Sequence, residues 1–565
     1  MSEPTASVVN SEANMVEPTK SEHETITSEN EADEVSHING DAALVSTKGA
    51  IRRLPIPSSD PNDPLNFPKW MKIGLIISSC WFATMSLALI GGLGAILGDF
   101  FGLYMPQGFS SSQIVLLLTL PSLFTGIGNY IMLPFALAFG RRPAFLVAAT
   151  ILVFATVGAG TQKSYHGHLA ARIFQGLSSG ATESLLPLML SEITFMHQRA
   201  YVFGAYWSTQ TAMSSLLNTA SSYEAVISWR WYYGVFAITA GVGLVLGIFF
   251  GFETRYQRPA ASLDGQIVVT DHFGVTRILD EDGGREYLER NGGFETNHNS
   301  SSTQPLKTYA QFLNPWPGMT PNAGSIVARG YVAMLEALTC PGIWFAILAP
   351  SITLGVAIAI SLTYNNVLEK NYNWPAKNIG LINLAPIPAS YLAMLAAGWG
   401  GDKITVFMAK RNGGIAKPEY RLIPLVYPLI TGLAGILIYS YTADNTHHNL
   451  SWAGPVIGWA IYEFAFVCTL ITSTSFAAEA WPKNPGPALV VVVGSKNFFA
   501  FGISYALTPM VNEHGYTWAF GILAGCFAGV FCLGVPIYFL NPLWRKWTSE
   551  REARVKARSF GRQSS

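Results

Sequence analysis

Between about Ile73 and Leu540 the chain is a succession of apolar runs, and one polar stretch from Phe252 to Cys340 divides them into two sets. A hydrocarbon core about 30 Å thick takes about 20 apolar residues per helix. The sequence offers about twelve runs of that length, six on each side of the polar stretch. In lipid every backbone N–H and C=O must find a partner inside the protein, so runs of this kind become helices. The expected fold class is an all-α membrane protein, twelve transmembrane helices in two six-helix bundles. The expected domains are residues 1–70, a disordered acidic tail and pre-helix segment; 71–251, a first bundle; 252–340, a central loop; 341–540, a second bundle; and 541–565, a basic tail.

Composition supports this and excludes a soluble enzyme. Half of the 565 residues are hydrophobic, only 12% are charged, and glycine, at 53 residues, exceeds its usual share of about 7%. Net charge is zero, but the sum hides an acidic segment from Glu12 to Glu34 and a basic tail from Arg545 to Arg558, so the charge gives no reason to expect a nucleic-acid partner. The first fifty residues lack a basic start followed by an apolar run, so the first membrane helix is expected to direct insertion. Cys80, Cys340, Cys468, Cys526 and Cys532 lie in or beside apolar runs without metal-ligand spacing and read as packing residues. No phosphate-cradling lysine loop and no His/Cys metal cluster is present, so no enzyme activity, cofactor or metal is expected.

The spans are expected near Ile73–Leu97, Ile114–Ala138, Ala144–Gly160, Leu169–Leu190, Tyr201–Tyr223, Tyr232–Phe250, Ile343–Tyr364, Ile379–Trp399, Leu422–Tyr441, Trp452–Ser475, Ala488–Pro509 and Trp518–Leu540. Lysine and arginine then gather on one face (Arg52, Arg53, Lys69, Lys72, Arg141, Arg142, Arg199, Lys403, Lys410, Arg411, Lys417, Arg421), whereas the other holds Lys163, Arg230, Lys370 and Lys377. The positive-inside bias places both termini and the central loop in the cytoplasm. On the outer face Asn449-Leu450-Ser451 is a glycosylation acceptor close to the membrane. In the central loop Gln266–Thr270 and Val275–Leu279 read as a small β-hairpin.

A charged side chain at the centre of a membrane helix costs about 2.5–3.5 kcal/mol, so each one is a functional candidate. In the fourth span Arg172, Gln175, Gly176, Ser179, Gly180 and Glu183 recur at helical spacing and share one face. That face meets either the central cavity or a neighbouring helix: Arg172 and Glu183 are candidates for proton coupling or solute charge, and equally for a structural network. Tyr206, Gln210, Ser214, Asn218 and Ser221 repeat the pattern in the fifth span, as a cavity wall or as a helix-packing seam. The second half offers Glu463, Lys496 and Asn497 within spans, with Tyr364, Asn365 and Asn366 closing the seventh. In the eighth, Asn383 stands before Pro386 and Pro388, which interrupt the backbone ladder.

Gly140-Arg141-Arg142-Pro143 and Gly398-Trp399-Gly400-Gly401-Asp402-Lys403 occupy matching places in the two halves. Together they resemble the repeated cytoplasmic loop motif of the major facilitator superfamily, and the resemblance extends from Asp60 to Trp547. Asp60-Pro61-Asn62-Asp63-Pro64-Leu65-Asn66, Trp229-Arg230-Trp231 and Phe252-Glu253-Thr254 look like fungal drug:proton antiporter-type members, and Glu183 to Arg199 is similar to the subgroup containing the fungal polyamine and organic-cation transporter. The resemblance implies Gly140, Arg141, Arg142, Gly398, Asp402 and Lys403 as gating residues. Two departures stand out: Leu137 replaces the motif's acid in the first half, and Leu216 and Leu217 stand where antiporters carry glycine and proline.

The expected function is therefore alternating-access transport of a small organic solute by a monomer in the plasma membrane. Proton-coupled export of a drug, toxin or secondary metabolite leads, uptake of an organic cation such as a polyamine is the alternative, and a non-transporting solute sensor is a third reading. Its partners are the solute, protons and the bilayer.

Overall fold

In a computed structural model, residues 42–43, 57–58, 60–256, 261–263, 266–270, 276–279, 307–316, 318–319, 323–444, 450–481 and 485–563 are described. Asn449, the acidic tail and the turn of the expected hairpin lie outside them. The first half consists of α1 (Lys69–Gly91), a short α2 (Leu97–Tyr104), α3 (Ser111–Phe139), α4 (Arg141–Thr161), α5 (Tyr165–Glu192), α6 (Arg199–Ile227) and α7 (Trp229–Phe250). A shorter helix, α8 (Ala323–Ala337), precedes the second half: α9 (Pro341–Asn366), α10 (Ala376–Arg411), α11 (Pro418–Ala443), α12 (Ala453–Ala480), α13 (Pro485–Cys532) and α14 (Gly534–Gln563).

Among the described residues nine helical segments are long and apolar enough to cross a membrane. The expectation counted twelve, and the difference has two physical sources. The polar faces of α5 and α6 lower their hydropathy, and α13 runs on past a break at Gly515, where φ is 82° and only glycine is at ease. Within α10 the backbone passes from a 3-10 segment (Ala376–Leu384) into regular helix at Pro386, then widens to a π segment (Met394–Trp399). The two prolines sit where the ladder is interrupted.

Each half has an apolar core, and a few residues cross between them: Leu133, Leu137 and Leu188 join the second core, and Ala393, Ala397, Val467 and Ile471 join the first. Large apolar side chains such as Phe154, Ile227, Ile238, Ile430 and Phe539 point outward, as the perimeter of a lipid-embedded bundle requires. Helices approach closely through glycine. A Cβ at Gly126 of α3 would stand 2.9 Å from the Gly494 carbonyl of α13, and one at Gly204 of α6 would stand 3.2 Å from Gly398 Cα of α10. Both contacts join the halves.

The Asp60-to-Asn66 segment knots the start of α1 to both ends of the central loop. Asp63 caps the turn Pro64–Asn66, the Tyr256 hydroxyl donates to Asp60 at 3.1 Å, and Lys307 N–H donates to Asn62 Oδ1 at 3.0 Å. Phe67 packs edge-on to Phe312. Within the loop β2 (Ala261–Leu263), β3 (Gln266–Thr270) and β4 (Thr276–Leu279) form an antiparallel meander, so the expected hairpin gains a third strand. A two-residue strand, β1 (Ala42–Ala43), pairs with β5 (Ile415–Ala416). All five cysteines are free, Cys526 and Cys532 exposed on α13.

Candidate functional site

A cavity of about 190 Å³ lies between the halves. α1, α3, α5 and α6 line it from the first half and α9, α10, α12 and α13 from the second. Its polar groups include Glu183, Gln210, Asn218, Ser361, Tyr364, Asn383, Glu463, Lys496 and Asn497, set among Trp207, Trp459 and Phe466.

Glu183 and Lys496 form a buried ion pair across the interface, from α5 to α13. Asn497 donates to Glu183 Oε2 at 2.6 Å and Asn129 of α3 at 3.1 Å, so three side chains from two other helices hold one carboxylate. The Lys496 ammonium stands 5.9 Å from the Trp207 ring centroid, within cation–π range. Two charges leave water at heavy cost, and this hydrogen-bond set offsets it. Glu463 is also buried but makes no ion pair among the described residues. Lys496 is thus the partner of Glu183 on α5 and not of Glu463 on α12. Among the described residues the Trp207 and Trp459 indole N–H groups and Asn218 Oδ1 are buried without partners.

Several expected site residues lie elsewhere. Arg172 is fully buried and spends its guanidinium on the carbonyls of Leu117, Leu89 and Ile90 and on Gln175 Oε1, at 2.8–3.1 Å. It pins the end of α1 and the start of α3, and Gln175 turns to the Ala155 carbonyl. The glycines of the same stripe, Gly176 and Gly180, press on the α3 backbone at Pro121 and Gly128. Thus the stripe faces a neighbouring helix along most of its length and reaches the cavity only at Glu183. Tyr206 donates to the Thr182 carbonyl at 2.8 Å. The cavity face of α6 is Trp207, Gln210, Thr211, Ser214, Ser215 and Asn218, so Gln210, Ser214 and Asn218 of the expected repeat line the cavity while Tyr206 and Ser221 lie off it. Asn365 and the exposed Asn366 lie off the cavity. Sequence alone did not single out Trp207, Trp459 or Asn129: the two tryptophans count as apolar in a pattern, and Asn129 continues a polar row in α3 with Ser122 and Thr125 that the spacing would have shown.

The loop motifs sit on the basic face. Gly140, at φ 111°, turns α3 sharply into α4. Arg141 pairs with Glu192 at 2.7 Å, and the other Glu192 oxygen accepts from Thr254 at 2.5 Å. Glu253 accepts from the N–H groups of Arg141 and Arg142 at 3.0 and 3.2 Å, as an acid at a helix N-terminus should. Arg142 binds the carbonyls of Gly251, Ile248 and Leu313. Leu137 is buried beside Gly330 of α8. In the second half Arg421 holds Asp402 at 2.5 Å and Glu479 at 2.9 Å. Asp402 also accepts from the Tyr201 N–H at 2.9 Å, at the start of α6 in the first half. Lys403 is exposed, over the Trp399 ring. At the far end, partial burial and then the charge of Glu369 push the Asp99 carboxyl above its ordinary range.

The sequence family described as Major Facilitator Superfamily matches residues 73–509. An uncharacterized MFS-type transporter of Schizosaccharomyces pombe is 23% identical, covering 90% of each chain. Protein HOL1 of Saccharomyces cerevisiae is 22% identical over 90% of this chain and 92% of its own, and the efflux pump radE of Floropilus chiversii is 21% identical over 85% and 82%. Among solved structures, a POT family transporter aligns with TM-score 0.54 at 15% identity over 86% of this chain and 99% of its own. The proton:xylose symporter XylE aligns with TM-score 0.53 at 12% identity over 83% and 96%.

Proposed function

Because this chain belongs to the Major Facilitator Superfamily, whose members are multi-pass membrane carriers, we propose that it is a proton-coupled secondary carrier exporting a small organic molecule by alternating access. The observation that carries the reading is the inter-half cavity, bridged by the Glu183–Lys496 pair and lined by the unpaired Glu463. A buried carboxylate without a cation calls for a proton or a cationic cargo to balance it. Counting α5 and α6 as crossings and dividing α13 at Gly515 supports a reading of twelve spans. Both termini in the cytoplasm, the plasma membrane and a monomeric carrier complete the proposal, the first supported by the basic residues gathered on one face. Export of a drug, toxin or secondary metabolite accords with the relative named as an efflux pump.

A second reading, uptake of an organic cation such as a polyamine, is favoured by Glu463 facing the cavity. Proteoliposomes carrying labelled candidate solutes under an imposed pH gradient test the reaction. The expected result is gradient-accelerated flux, abolished by Glu463→Gln with insertion intact. No flux under any gradient would reject the carrier, and unchanged acceleration in the variant would remove Glu463 from coupling. The sign of the driven flux decides between export and uptake.

A further inference from the structure

Lys496 sits on Glu183 as a bound ligand would. One carboxylate oxygen receives its ammonium, the other is fixed by the Asn129 and Asn497 amides at 3.1 and 2.6 Å, and the Trp207 ring stands 5.9 Å away. A carboxylate oriented by neutral donors beside an indole face is chemistry that selects an alkylammonium. Here the occupant is part of the wall.

Two further features suit a second ammonium. Asn129 spends its amide nitrogen on Glu183 and on the Thr125 carbonyl, while its Oδ1, fully buried, has no partner among the described residues. An acceptor that Lys496 does not use therefore lies beside Glu183, just behind the cavity wall. Secondly, Glu183, Glu463 and Lys496 are the charged groups lining the cavity, so with all three ionised it is one positive charge short of balance.

Building on the reading of this cavity as the solute site, we propose that Glu183, Asn129, Asn497 and Trp207 form an ammonium site that Lys496 occupies in the empty carrier. The cargo is a small organic monocation with an N–H ammonium, which takes over Glu183 as Lys496 turns to Glu463. Glu463 lines the same cavity and is free of ion pairs among the described residues. One ammonium replaces another, so Glu183 is never stripped of its counter-charge, and Glu463 gains one. Because the contact displaced is the ion pair between α5 and α13, leaving only the Asn497 bond to Glu183 between these side chains, loading the site loosens the interface at its centre. A quaternary ammonium has no N–H to donate and is a poorer occupant.

The test is thermal unfolding of the purified full-length Lys496→Met variant in detergent, with n-butylammonium chloride as the probe. Its midpoint should lie below that of the wild type and rise saturably with butylammonium, as binding to the folded state requires. Tetramethylammonium and sodium at equal ionic strength should do less, and adding Glu183→Gln should remove the response. The proposal is overturned if butylammonium stabilises the variant no more than the wild type, or if the double variant keeps the response. Should Lys496→Met fail to fold, Lys496→Gln, which retains a donor toward Glu183, carries the same comparison. The readout is binding and not flux, so a negative result beside intact transport rejects the ammonium site and leaves the carrier standing.

Discussion

The two loop motifs occupy matching places, yet one is closed on itself and the other reaches across. In the first half Arg141, Glu192, Glu253 and Thr254 bond to one another and, with Arg142 on the Gly251, Ile248 and Leu313 carbonyls, bind α4, α5 and the segments after α7. In the second, Asp402 belongs both to Arg421 in its own half and to the Tyr201 N–H at the head of α6 in the other. The first clamp thus gives a half its shape, and the second holds two halves together. The first cannot reach out in the same way: Leu137 has replaced its acid, and α13 begins Pro485-Gly486-Pro487, two of whose three residues have no N–H to offer. α8 fills that gap with apolar contact, Leu137 lying against Gly330 and the Tyr331 hydroxyl reaching the Tyr130 carbonyl at 3.2 Å.

The strongest way to break the comparison is Arg421→Ala, which leaves the Asp402 and Glu479 carboxylates without their cation. A loss of about 3–5 kcal/mol is expected, read as a fall in unfolding midpoint together with freer opening toward the cytoplasm. Arg141→Ala comes next. It removes the cation from buried Glu192, with an expected cost of about 3 kcal/mol, but because that ion pair lies within one half, the balance between inward and outward access should stay as in the wild type. A shift in access equal to that of the Arg421 variant would erase the distinction between the clamps. Lys403→Ala should change stability by less than about 0.5 kcal/mol, since the side chain is exposed and touches only the Trp399 ring. A large effect there would return Lys403 to the gating machinery.

How much of this was legible beforehand follows from the kind of signal each residue leaves. Run length and spacing located the helices, because a bilayer demands them. The motifs located both clamps, and Leu137 marked the departure from the pattern. What replaced the missing acid was hidden, since Glu192 lies 51 positions from Arg141 and Glu253 lies 112, and only the fold brings them together. Phe252-Glu253-Thr254 was visible as a motif and gained its role only from geometry. Periodicity placed Glu183 on a polar stripe, but it says nothing of which neighbour each step meets, so Arg172 and Glu183 parted company. On α6 periodicity found Gln210, Ser214 and Asn218 but not Trp207, which counts as apolar in a pattern although its indole N–H has no partner among the described residues.

If closure of the basic face, the cytoplasmic side in the proposed orientation, rests on Asp402, it governs the rate at which a membrane-impermeant thiol reagent labels a cysteine at Ser214, on the cavity wall, from that side in inside-out vesicles. With the native cysteines replaced, Asp402→Asn should speed labelling by about tenfold, the equivalent of about 1.4 kcal/mol for a lost charge at a helix N-terminus, while Arg141→Ala leaves the rate unchanged. Equal rates in the Asp402 variant and the parent, or equal acceleration in both variants, would contradict the account.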